Sequence, residues 1–142
     1  KNNTELKNEV VSGLKIILFS TFLLVCIIYS FKKIIVLILY TEQFSPMTDL
    51  FLIQLSGDIF WVGKMTLSVV LIAKAMMKKY ILLEVFFGLM YLLVSIILLG
   101  KGYGIVSVPI AHLIYNLLYF MSMIFIFKNI ITKKGFVNNL TK

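Results

Sequence analysis

Long apolar runs separated by short polar breaks dominate this chain, and their spacing is that of membrane-spanning helices. Four runs qualify, at about 14–40, 50–75, 79–99 and 104–128. Crossing about 30 Å of hydrocarbon takes roughly 20 mainly apolar residues in a helix. Backbone in lipid must bond internally, which leaves helices or closed barrels, and barrel strands alternate over shorter segments. The pattern therefore predicts an all-α integral membrane fold of four antiparallel transmembrane helices. Lys32 and Lys33 interrupt the first run, Asp58 and Lys64 the second, and Glu84 the third; the fourth carries no charge between Ile105 and Phe127.

The breaks read as short links. Thr41 to Pro46 is a turn, with Thr48 or Asp49 placed to cap the second helix. Ala75 to Lys79 joins the second and third helices, and Gly100 to Gly104, with three glycines in five residues, marks a tight reversal into the fourth. Pro109 falls in the first turns of that last helix, where a slight kink is expected. Links this short make sequential helices antiparallel neighbours. Residues 1–13 form a lead-in and 129–142 a tail. The polar stretch from Lys1 to Glu9 is no signal peptide, and a start at Lys1 instead of Met suggests a piece of a longer chain.

Composition agrees with the pattern. Of 142 residues, 61% are hydrophobic and 14% charged, with a mean hydropathy of +1.01. Soluble domains are roughly 45–50% apolar and about 25% charged. That excludes a disordered tail, an ordinary cytosolic enzyme and, despite a net charge of +8, a nucleic-acid-binding face, which needs clustered exposed cations. Cys26 stands alone inside an apolar run, so neither a disulfide framework nor a metal-ligand spacing is present. No Gly-rich phosphate loop or nucleophile–base spacing occurs either. The sequence is not that of an enzyme, and it calls for no cofactor or metal.

The charge does carry topology. All 14 basic residues are lysines. If the helices alternate, Lys1, Lys7, Lys15, Lys74, Lys78, Lys79, Lys128, Lys133, Lys134 and Lys142 share one side, and the other has Lys101 beside Glu42 and Asp49. The positive-inside rule then places both ends in the cytoplasm.

Five ionisable residues remain at or near membrane depth: Lys32, Lys33, Lys64, Asp58 and Glu84. Such a group costs at least about 2.5–3.5 kcal/mol at a helix centre, so it faces a cavity or a partner, or snorkels. Lys32 and Lys33 can snorkel from the outer end of their helix. They are also about 100° apart around it, so at least one can point inward. In the second helix Gln54, Asp58, Trp61, Met65 and Ser68 recur on one face and form a polar seam, with Lys64 on its flank. Asp58 and Lys64 are six apart and do not form an intrahelical pair. Asp58 must find another helix or water, and Lys32 or Lys33 is the expected partner. That pair can lock two helices together or take part in transport. Glu84, Gly88, Tyr91 and Ser95 form a second seam, where Glu84 can either snorkel at the cytoplasmic boundary or couple an ion. His112, Asn116, Tyr119 and Met123 share a face of the last helix; a lone His among aromatics is more often a hydrogen-bonded packing residue than a ligand.

One ordered set of residues goes further. Tyr40-Thr41-Glu42-Gln43-Phe44-Ser45-Pro46 leads into Gln54-Leu55-Ser56-Gly57-Asp58, then Ala73-Lys74, Glu84 and Gly102-Tyr103-Gly104. This order resembles the C-terminal part of the O-antigen (polysaccharide repeat-unit) flippases of the Wzx type, which belong with the multidrug/oligosaccharidyl-lipid/polysaccharide exporters. The resemblance implies a parent of about twelve spans in two six-helix lobes, of which this chain is the last four spans, completed by the missing N-terminal helices. It implies a bacterial inner-membrane protein that flips an undecaprenyl-diphosphate-linked oligosaccharide for surface polysaccharide synthesis, with a polysaccharide polymerase as a candidate neighbour. Lys32, Lys33 and Lys64 would then attract the diphosphate or acidic sugars. Asp58 and Glu84 would serve charge pairing or ion coupling, and Gln54, Trp61 and Ser68 would line the cavity seam. Two other readings stand beside it, an ion-coupled exporter of small cationic compounds and a four-helix membrane scaffold.

Overall fold

The computed structural model describes residues 3–39 and 48–140, with side chains over 5–38 and 48–131. The Thr41–Pro46 turn lies outside the described residues. Helix α1 spans Asn3–Ser30, α2 Lys32–Leu39, α3 Phe51–Ala73, α4 Met77–Gly100 and α5 Ser107–Leu140, with a 3₁₀ turn over Gly104–Val106. Among the described residues, four stretches are long and apolar enough to cross a membrane: Glu5–Ser30, Phe51–Ala73, Met77–Gly100 and Gly104–Ile131. The chain is an all-α, multi-pass membrane protein.

The first span departs from its expected limits of 14–40. Its helix begins at Asn3 and breaks at Phe31, so the lead-in is helical. Just before the break Ser30 Oγ donates to the Cys26 carbonyl at 2.8 Å. The backbone bonds Phe31 N to Ile27 O and Ile35 N to Phe31 O continue across the break, which is therefore a kink and not a loop. Lys32 and Lys33 begin α2 beyond it and do not lie within one continuous span.

The links also differ in detail. Helix α3 starts from Leu50, whose side chain makes no cap bond, and Thr48 and Asp49 lie in a 3₁₀ turn before it. At its other end Met76 N donates to Leu71 O and Ala75 N to Ile72 O, both at 2.9 Å. Helix α4 closes the same way, with Tyr103 N on Leu98 O and Gly102 N on Leu99 O. Both are Schellman caps, which require a left-handed residue at the turn; Gly102 (φ 86°) and Ala75 (φ 55°) supply it. Pro109 sits in the first turn of α5, where its missing N–H has no helical partner to lose.

Packing centres on α5. Helix α3 lies along one side of it, α4 along another, and α1 rests on α3. Sequential neighbours α3 and α4 touch only lightly, so the short link does not decide the main contact. The side-chain pairs fix the directions. Moving along α3 from Gly57 to Gly63, the partner on α5 advances from His112 to Phe120, so these two helices run parallel. From Phe87 to Tyr91 on α4, the partner falls from Tyr119 to Tyr115, an antiparallel pair. Gly57 and Gly63 make the α3–α5 approach possible: a Cβ would come within 2.5 Å of His112 Cδ2 at the first and 2.7 Å of Phe120 Cε2 at the second. Such small residues are what close helix packing in lipid uses. Below them Leu67, Val70, Leu71, Phe87, Tyr119 and Met123 form the buried core with Phe127.

Candidate functional site

Polar groups inside the bundle gather in two tiers along the α3–α5 seam. In the first, His112 Nε2 donates to Asp58 Oδ1 at 3.0 Å. Asn116, one turn further along α5, donates from Nδ2 to the His112 carbonyl at 2.9 Å and lies 3.2 Å from Nδ1. With Nε2 carrying the proton, Nδ1 is free to accept from that amide. The triad thus joins one carboxylate on α3 to an i, i+4 pair on α5. Asn116 is fully buried, whereas His112 and Asp58 are partly open.

The second tier lies two turns along and is closed. Lys64 is 2% exposed. Its ammonium donates to the Tyr115 hydroxyl and stands 4.3 Å from the ring centroids of both Tyr115 and Tyr119. Tyr119 stacks on Phe87 of α4 at 4.6 Å between centroids, and Tyr91 packs on Tyr115. Glu84 on α4 is within electrostatic reach of Lys64, Tyr80, Tyr115 and Tyr119. A desolvated lysine gains about 2 kcal/mol or more from a ring face, against a larger cost of leaving water. The aromatic cage and the nearby carboxylate together hold the charge where hydrocarbon would not.

These placements revise several expectations. The side chain hydrogen-bonded to Asp58 is His112, not Lys32 or Lys33. Lys32 instead lies 4.3 Å over the ring of Tyr29, and Lys33 is exposed. The polar seam of α3 does not share one environment. Ser68 is buried and donates to the Lys64 carbonyl at 2.9 Å, while Trp61 and Met65 are 44% and 39% exposed. Gln54 lines a separate cleft of about 770 Å³ with Leu55, Leu99, Ile105, Val108 and Pro109. The buried face of α3 is turned towards Gly57, Lys64, Ser68 and Leu71, so Lys64, expected on the flank, stands at its centre. Glu84 faces this centre from α4, and His112 belongs to it from α5. Sequence reasoning placed His112 and Asn116 on one face but did not pair them with Asp58; their similar distance from the starts of α5 and α3 was the available signal. Among the described residues no group of His, Cys, Asp and Glu has the make-up of a metal site.

A buried lysine cage and a carboxylate–imidazole pair, both inside spanning helices, define a membrane protein with ionisable groups at membrane depth. The chain is 33% identical over 81 residues to the lipid III flippase of Escherichia coli (strain K12), and equally to that of Shigella flexneri. The match takes in 57% of this chain, and this chain spans 20% of the length of these relatives. No family model matches, and no solved structure does.

Proposed function

We propose that the chain is part of a multi-pass transporter that moves a lipid-linked precursor across a bacterial inner membrane. The likeness to lipid III flippases over 81 residues carries this reading, and the ionisable groups within α3, α4 and α5 support it. The finer assignment follows the Wzx resemblance: an undecaprenyl-diphosphate-linked oligosaccharide destined for O-antigen or related surface polysaccharide, with a polysaccharide polymerase as neighbour. The lysine bias puts both ends of the chain in the cytoplasm. Four spans then make up part of a six-helix lobe, and helices preceding this chain supply the rest of the cavity. The role is transport and not catalysis.

The physical need is plain. A diphosphate head group does not cross hydrocarbon unaided, whereas its prenyl tail can stay in lipid. Cations at membrane depth lower the head group's cost of leaving water. Lys32 and Lys33, at the kink between α1 and α2, are the cations open to an incoming anion. Lys64 is closed off by Tyr115 and Tyr119, so it contacts a head group only after α3 and α5 separate. The test is complementation by the full-length protein in a strain lacking its own flippase. Lys32→Gln with Lys33→Gln is expected to abolish surface polysaccharide at unchanged protein level. Full activity of that variant would remove the head-group role of these lysines.

A second reading, ion-coupled export of a small compound, is favoured by the Asp58–His112 pair, a carboxylate bonded to an imidazole inside a span. Loss of drug resistance with intact surface polysaccharide in a deletion strain would select it.

A further inference from the structure

The cage around Lys64 is built by two helices and filled from a third. Tyr115 and Tyr119, one turn apart on α5, each have their ring centroid 4.3 Å from the ammonium, and the Tyr115 hydroxyl accepts from it. Helix α4 holds both rings in place. Phe87 stacks on Tyr119 at 4.6 Å and 7° from parallel, and Tyr91 packs on Tyr115 at 5.7 Å. Glu84, also on α4, is within electrostatic reach of the same nitrogen. These groups belong to α4 and α5, whereas the charge they receive is carried on α3. Lys32, by contrast, lies over the single ring of Tyr29, its near neighbour in the chain. Ring faces fixed by their own neighbours before a cation arrives are a preorganised site, and aromatic cages recognise ammonium groups. The hydroxyl acceptor adds a preference for a nitrogen that still carries N–H donors.

We propose that α4 and α5 carry a preformed site for a primary alkylammonium group, and that Lys64 is its exchangeable occupant. Lys64, Tyr115 and Tyr119 lie near the middle of the Phe51–Ala73 and Gly104–Ile131 spans. A bilayer head group does not reach that depth, so the amine that replaces Lys64 belongs to cargo inside the bundle. The exchange, though not the site itself, rests on the transport reading. When α3 parts from α5 and Lys64 turns to a phosphate, an amine on the cargo takes its place between the two rings.

The Lys64→Ala variant of the full-length protein in detergent tests the site. It lacks the part of the stem and the ammonium that n-propylammonium restores. That salt is expected to raise the melting temperature of the variant towards that of the parent. Neutral n-propanol with matched sodium chloride is expected not to do so, and tetramethylammonium, which has no N–H for Tyr115, is expected to be weaker. Adding Tyr115→Leu removes a ring face and the hydroxyl, and should lower the affinity for n-propylammonium by at least about tenfold. If Lys64→Ala does not fold alone, recovery of folded protein purified in each solute is the readout. Equal melting or equal recovery in n-propylammonium and n-propanol overturns the proposal. The parent tests the exchange. A ligand that draws Lys64 away also frees the cage, so n-propylammonium should bind about tenfold tighter once farnesyl diphosphate is bound. An unchanged affinity with farnesyl diphosphate bound overturns the exchange. If farnesyl diphosphate does not bind at all, the transport reading fails instead, and Lys64→Ala still decides the ammonium site.

Discussion

His112 on α5 donates from Nε2 to the Asp58 carboxylate on α3 at 3.0 Å, directly beside the point where Gly57 lets the two helices meet. The residue that provides the contact and the residue that permits it are adjacent in the chain. Hydrogen bonds between helices in membranes contribute on average about 0.6 kcal/mol and at most about 1.7. A double-mutant cycle on Asp58→Ala and His112→Ala is expected to give a coupling in that range from thermal or denaturant unfolding in detergent. A coupling of zero would mean that the two side chains do not interact in the folded protein.

Gly57→Ala is expected to destabilise more than Gly63→Ala. At position 57 the added methyl meets His112 Cδ2 at 2.5 Å and the backbone Cα of Leu113 at 3.3 Å. The imidazole is held by Asp58 and a backbone atom does not turn aside, so α3 must move. At position 63 the three nearest atoms all belong to the Phe120 ring, which can rotate. Overpacking of the first kind costs about 1–3 kcal/mol. Melting temperatures of the two variants side by side check the order; a larger loss for Gly63→Ala would contradict it.

The number of spans and the approximate limits of the last three are legible in the sequence because lipid imposes length and apolarity on every span. The α5 face of His112, Asn116, Tyr119 and Met123 was legible for a related reason, as helical period alone puts those residues together. Two things were not legible. The break at Phe31 follows a hydroxyl that bonds back from Ser30 to Cys26, but Thr21 makes the same kind of bond to Ile17 inside an unbroken helix, so neither the residue type nor the bond marks the break. The facing of α3 does not follow the polarity of its side chains. In a bundle surrounded by lipid, close packing marks it instead, through Gly57 and Gly63. Their buried face brings in Lys64 and leaves Trp61 outside. Charge sign also misled: a carboxylate suggested a lysine partner, whereas depth along the parallel helices selects His112.

Ala75→Gly is expected to stabilise the protein, and Gly102→Ala to destabilise it. Both positions close a Schellman cap with left-handed backbone, φ 55° at Ala75 and 86° at Gly102. A Cβ there costs about 1–2 kcal/mol. Nothing lies within 4 Å of a Cβ added at Gly102, so the cost at that site is conformational and not steric. Opposite shifts in melting temperature, similar in size, are the outcome to look for. Equal and negligible shifts would show that these links are not fixed in the caps described.

Lys64 offers the sharpest separation of stability from transport. Its ammonium is enclosed by the Tyr115 and Tyr119 rings and bonded to the Tyr115 hydroxyl. Lys64→Ala removes the long stem as well as the charge and leaves a cavity in the centre of the α3–α5 contact, at a cost of about 2–5 kcal/mol by analogy with other large-to-small core changes. Lys64→Met keeps most of the stem and removes the charge. Replacing a buried ion by an apolar side chain of similar volume is often neutral or stabilising, and methionine sulfur contacts aromatic rings favourably. Lys64→Met is therefore expected to fold at least nearly as well as the parent. If the charge serves a head group when the helices part, this folded variant loses transport in complementation while Lys64→Arg retains part of it. If Lys64→Met transports normally, the buried lysine contributes only to the contact between α3 and α5, and the head-group role falls to Lys32 and Lys33 alone.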